Sequence, residues 1–91
     1  MEIFNGQTAD GDSAVVYPKG KGPWMLTVGN NFGGGTFSLI LIDNAGNEIT
    51  VPNTTVTTET VLKIDLPSNV GVKGNLNGAS GADLDVFLYR L

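Results

Sequence analysis

The chain has 91 residues, with five basic and nine acidic side chains for a net charge of −4, and it contains neither cysteine nor histidine. A chain of this length is one domain, 1–91, and it hides only roughly 60–65% of the surface its unfolded form exposes, so its core is thin. The missing residue types exclude a disulfide framework, a thiolate metal site and a histidine general base, and the acidic balance argues against nucleic acid as a partner.

The opening stretch, MEIFNGQTADGDS, has no basic n-region and no apolar h-region and reads as mature sequence rather than a signal peptide. Small secreted domains usually rely on disulfides, so the lack of cysteine favours an intracellular origin or an assembled state. No run approaches the ~18 apolar residues of a membrane span, and no membrane partner is expected. Thirteen glycines and four prolines are scattered along the chain, and no window keeps apolar residues at i, i+3, i+4, i+7, so no helix is expected.

Alternation dominates instead. SAVVYP, 13–18, reads as a strand, and KGKG, 19–22, as a loop. In PWMLTVG, 23–29, Trp24, Leu26 and Val28 share one face, and Pro23 fits only at the strand start or on an edge. TFSLILID, 36–43, is the strongest strand. DNAGN, 43–47, is a tight hairpin connection, and EITV, 48–51, returns from it. PNTTVTTE, 52–59, is polar and β-branched and reads as loop or weak edge strand. TVLKIDL, 60–66, points Leu62, Ile64 and Leu66 inward and Lys63 and Asp65 outward. VGVKGNL, 70–76, aligns Val70, Val72 and Leu76, and DLDVFLYRL, 83–91, closes the chain. Seven or eight short strands separated by turn signals predict an all-β fold, an antiparallel β-sandwich of jelly-roll or immunoglobulin-like order.

The triple glycine Gly33–Gly35 lies in NNFGGGTF. A phosphate-binding loop needs a helix N-terminus behind it, and a P-loop needs Lys-Ser/Thr after its last glycine. Here a strand follows and no lysine is near, so the glycines read as a turn that needs positive φ and close backbone approach. Phe32 is expected as a lid over the open end of the sandwich.

Two strands are apolar on both faces. Phe37, Leu39 and Leu41 oppose Ile40 and Ile42; Leu84, Val86 and Leu88 oppose Phe87, Tyr89 and Leu91. An antiparallel sheet usually keeps one face polar, and an uncovered second apolar face marks an interaction surface. Either a flap of the chain itself, such as 1–12 or 52–59, covers these side chains, or another subunit does. Ile40, Ile42, Phe87, Tyr89, Leu91 and Phe32 form the candidate interface set.

Other candidates are weaker. DGDS, 10–13, faintly resembles a calcium loop but lacks its further ligands. Asp83 and Asp85 share a strand face and read as solvated strand-edge charges that oppose edge-to-edge pairing. Trp24 alternates with Leu26 and Val28 and reads as core. Lys19 and Lys21 form a small basic spot that either docks on an acidic neighbour or keeps a loop soluble. No Ser-His-Asp or Cys-His arrangement can be assembled.

Two stretches, VGNNFGGGTFSLILIDNAGNEI (28–49) and LPSNVGVKGNLNGASGADLDVFLYRL (66–91), together about half the chain, resemble small β-sandwich proteins of tailed-phage virions that decorate or cement capsids. The chain departs from that pattern at NEITV, 47–51, where such proteins often carry Trp or Tyr. The resemblance implies a non-enzymatic structural protein with no cofactor, located on the virion capsid surface. Its partners would be the major capsid protein, copies of itself, or both, with homo-oligomers on the assembled particle. The competing class is a carbohydrate- or receptor-binding module of a phage tail or fibre, for which Trp24, Phe32 and the two tyrosines would have to serve.

Overall fold

The computed structural model describes all residues, Met1–Leu91. The strands in chain order are β1 (Glu2–Gln7), β2 (Gly11–Asp12), β3 (Gly22–Asn31), β4 (Thr36–Ile42), β5 (Glu48–Thr50), β6 (Thr60–Leu66), β7 (Gly71–Asn77) and β8 (Asp83–Arg90). They form two four-stranded sheets. Sheet 1 runs β1-β8-β3-β6 and sheet 2 runs β2-β7-β4-β5. All pairings are antiparallel. β1 pairs with β8, β2 with β7, β3 with β6 and β4 with β5, as if one long hairpin were wrapped around the core. This is the jelly-roll order, one of the two orders expected from the sequence.

The expected inward faces hold. Leu26 and Val28 of β3, Phe37 and Leu39 of β4, Val72 and Leu76 of β7, and Leu84, Val86 and Leu88 of β8 are all buried in one core. Every second residue of a strand points the same way, so the alternation read from the sequence carries over directly. The Asp43–Asn47 connection is a tight turn, in which the Asp43 carboxylate accepts the N–H groups of Ala45 and Asn47, each at 2.9 Å. Gly46 there adopts φ +85°, the left-handed region open to glycine.

Two segments differ from expectation. The stretch 1–12 is not a flap: it supplies β1 and β2, an edge strand for each sheet. Its pattern does not alternate, because Ile3 and Phe4 are neighbours and both are buried. The register against β8 slips between Glu2 and Phe4 and again before Gln7, and such bulges turn successive side chains to one face. The strand expected over 13–18 shrinks to a single bridge, Val16 to Val72. The Ser13 hydroxyl accepts the Gly74 N–H at 2.9 Å, taking the place of a ladder carbonyl. The stretch 52–59 is a loop, one of its two expected readings; it crosses between the sheets and pairs with β4 only through Val56 and Phe37. There the Thr54 hydroxyl, fully buried, accepts the Leu39 N–H at 3.1 Å and donates to the Val51 carbonyl at 2.7 Å.

Candidate functional site

The outward faces of the two sheets are the surfaces left to account for. On sheet 1 the pairing of β3 with β8 and β6 sets side chains in rows across the strands. Tyr89, Met25 and Lys63 form one row, and Phe87, Thr27 and Val61 the next, with Glu2 of β1 beside Phe87. Asp85 and Gly29 begin a third row, completed by Glu59, whose carboxylate accepts the Asn30 N–H at 3.3 Å. Val61 is 67% exposed, Leu91 56% and Tyr89 53%. The Phe87 and Tyr89 rings lie 6.3 Å apart. Because Gly29 has no side chain, a shallow groove of about 440 Å³ opens above it, with Asp85 and Phe87 on one side and Glu59 and Val61 on the other.

On sheet 2, Ile42 sits beside Gly71, and Ile40 beside Lys73. A Cβ at Gly71 would lie 2.8 Å from Val15 and 3.2 Å from Tyr17, with Ile42 at 3.7 Å. Val15, Tyr17 and Ile42 therefore converge over a glycine, which leaves Ile42 half-buried while Tyr17 stays 65% exposed. Lys73 crosses the same face. Its amine donates to Asp12 of β2 at 2.8 Å and reaches Glu48 of β5 at 3.1 Å, so one cation ties the two edge strands across β7 and β4. Hydrogen bonds from Lys73 and then Asn75 hold the Asp12 carboxyl below its ordinary value, against a smaller opposing desolvation. The bonds to Asp12 and then Glu48 raise the Lys73 amine above its own.

The candidate set is thus divided. Phe87, Tyr89 and Leu91 belong to sheet 1 and Ile40 and Ile42 to sheet 2, on opposite sides of the sandwich, so they do not form one contact face. Phe32 is only 6% exposed and packs in the core. It closes the end of the sandwich, and its side chain is not part of an outer face. The candidate interface set omits Met25, Val61, Val15 and Tyr17, the last considered only as one of the two tyrosines of a glycan-binding module. Met25 and Val61 carry a usable signal, since each alternates with residues read as inward: Trp24 and Leu26 for Met25, and Leu62 for Val61.

The smaller candidates have structural partners. Asp10 accepts the N–H groups of Gly78 and Ala79 at 2.9 and 2.7 Å, and Asp12 is engaged with Lys73 and Asn75. No three His, Cys, Asp or Glu side chains converge as metal ligands. Asp85 accepts the Gly6 N–H at 2.8 Å. β8 is an inner strand between β1 and β3, so Asp83 and Asp85 do not guard a sheet edge. Trp24 is buried as expected. The Arg90 guanidinium stands 5.3 Å from the Trp24 ring centre and donates to the carbonyls of Lys19, Gly20 and Lys21 at 2.9–3.2 Å. Gly33 has the positive φ and close backbone approach expected of the glycine turn: at φ +59°, a Cβ there would meet the Ser80 carbonyl at 2.7 Å. Two loops close on each other at that point, and Ser80 N–H donates to the Gly33 carbonyl at 2.9 Å.

No protein-family model, no curated protein and no solved structure matches the chain. The functional reading therefore rests on the two outer faces.

Proposed function

We propose that this chain is a non-enzymatic structural protein of a tailed-phage virion, which decorates or cements the capsid by associating with itself and docking on the major capsid protein. The capsid assignment rests on the resemblance of 28–49 and 66–91 to small virion β-sandwiches, and one observation carries the association that it requires. The sandwich leaves two separate apolar faces on opposite sides, Val61, Phe87 and Tyr89 on sheet 1 and Val15, Tyr17 and Ile42 on sheet 2. Exposed apolar surface is removed from water by contact, and two opposed faces let one small subunit bridge two neighbours. The jelly-roll order is compatible with this role, but capsid and lectin domains share it, so the fold alone does not choose between assembly and glycan binding.

A glycan platform gains less support. Trp24 and Phe32 are spent in the core, and the two exposed tyrosines, Tyr17 and Tyr89, stand on different sheets. The test is co-sedimentation of the purified chain with capsids assembled from the major capsid protein encoded in the same genome. Saturable binding, weakened by Tyr17→Ser or Tyr89→Ser, is expected. A folded chain that stays in the supernatant, or that binds a glycan array through either tyrosine, overturns the reading.

A further inference from the structure

The outer face of sheet 1 is self-complementary about its central row. Take Phe87, Thr27 and Val61 as that row. Two residues to one side along β8, β3 and β6 stand Tyr89, Met25 and Lys63. Two residues to the other side stand Asp85, Gly29 and Glu59. On each strand the two flanking positions are chemical opposites. β6 carries an amine, with a carboxylate on the residue just before its start, β8 a phenol and a carboxylate, and β3 a flexible methionine and the glycine that floors the groove.

We propose that a second copy of this chain occupies this face, related by a two-fold axis that lies in the interface and runs across the strands along the central row. The proposal rests on the self-association in the functional reading above and specifies its surface. Such an axis reverses the strand direction of the partner copy. Lys63 of each copy then meets Glu59 of the other, the Tyr89 hydroxyl donates to Asp85, and Met25 enters the groove above Gly29. Phe87 and Val61 pack on their own counterparts. An isologous contact requires this matching of a patch with itself. Sheets stacked face to face lie about 10 Å apart with strands rotated by about 30°, which leaves room for interdigitated side chains and spreads both edge strands, β1 and β6, towards the rim, where the long side chains of Lys63 and Glu59 still reach each other. Glu2, beside Phe87 at the β1 edge, therefore falls at the solvated rim. Leu91 and Asp65 lie beyond the matched rows.

The complementarity gives a charge-swap test. Purified wild type is followed by sedimentation velocity across the micromolar range and is expected to form a dimer. Lys63→Glu and Glu59→Lys each set like charges opposite each other twice in a homodimer, and each is expected to weaken dimerisation about tenfold or more. Mixed in equal amounts, the two variants regain both opposite-charge contacts and form a heterodimer. Circular dichroism and the Tm of each variant show that the monomer is folded. Should Glu59→Lys perturb the Asn30 turn, Asp85→Asn with Lys63→Glu probes the same ends of the face, and each is expected to weaken the dimer.

A wild type that remains monomeric throughout, a dimer indifferent to these substitutions, or folded variants that fail to pair on mixing overturns the proposal. Capsid co-sedimentation separates this outcome from failure of the functional reading. A monomer that still binds capsids sinks only the dimer, and a dimer that ignores capsids sinks only the capsid role.

Discussion

The rings of Phe4 and Phe37 meet edge to face across the two sheets, 6.2 Å between centres and 77° between planes. Gly74 is the residue that leaves them room. A Cβ at Gly74 would lie 2.7 Å from Ile3 and 2.8 Å from Phe37. Its backbone is ordinary strand, so the need is for space and not for an unusual φ. Gly74→Ala is therefore expected to overpack the core and cost about 1–3 kcal/mol, read as a fall in the urea midpoint. Phe37→Ala, which removes a fully buried ring, is expected to cost about 3–5 kcal/mol. A neutral Gly74→Ala would mean that Ile3 and Phe4 are not held where β1 sets them.

Gly74 also marks how far the sequence could be read. Val72 and Leu76 declare their face by alternation, but the residue between them in that series is a glycine whose reason lies in Phe4 and Phe37, far away in sequence. β1 escaped notice for a related cause. Its bulges break the two-residue period, and a period is all that pattern reading can see. The apolar outer faces were legible because Ile40, Ile42, Phe87 and Tyr89 break the usual polar rule on their own strands. That these residues lie on opposite sides was not legible, since strand order depends on pairings between distant segments. Lys73 lies in a stretch legible only for its apolar face, Val70, Val72 and Leu76, and its two carboxylate partners come from β2 and β5.

The crossover after β5 hangs on one buried hydroxyl. Thr54 Oγ1 accepts the Leu39 N–H and donates to the Val51 carbonyl. Thr54→Val keeps the volume but strands the Leu39 N–H in a dry site, a loss of about 1–3 kcal/mol. Thr54→Ser keeps the hydroxyl and is expected to recover most of it. Hydrogen exchange at Leu39 is the direct readout, with faster exchange in the valine variant than in the serine variant.

The loop at Lys19–Lys21 is held by a side chain from the other end of the chain. Arg90 donates to three successive loop carbonyls while stacked on Trp24. A planar guanidinium presents several donors in a fixed fork, and an ammonium does not. Arg90→Lys and Arg90→Met are both expected to loosen the loop. Trypsin, which cuts after Lys19 and Lys21, should then cleave there several-fold faster than in wild type under native conditions. Equal cleavage rates would show that the loop is ordered by its own backbone.

The Asp12–Lys73–Glu48 bridge predicts how stability follows pH. Asp12 is held below its ordinary value of 3.8, chiefly by the hydrogen bond from Lys73. A depressed carboxyl stabilises the fold in full above its unfolded value, and the contribution is lost as pH falls through the lower, folded value. Asp43, held down first by the side chain of Asn47, adds to the same acid limb. Lys73 is raised above 10.5, first by Asp12, so its contribution is complete below that value and is lost as pH rises through the folded one. Between the two limbs these groups leave stability flat. Asp12→Asn is expected to lower the urea midpoint at neutral pH. The gap to wild type should then close as pH drops below 3.8, where a protonated Asp12 is no better a partner than asparagine. Asp12 and Glu48 are about half-exposed, so solvent and salt screen the bridge and the shift is modest. A gap that stays constant through the acid limb would show that Asp12 acts through packing and not through its charge.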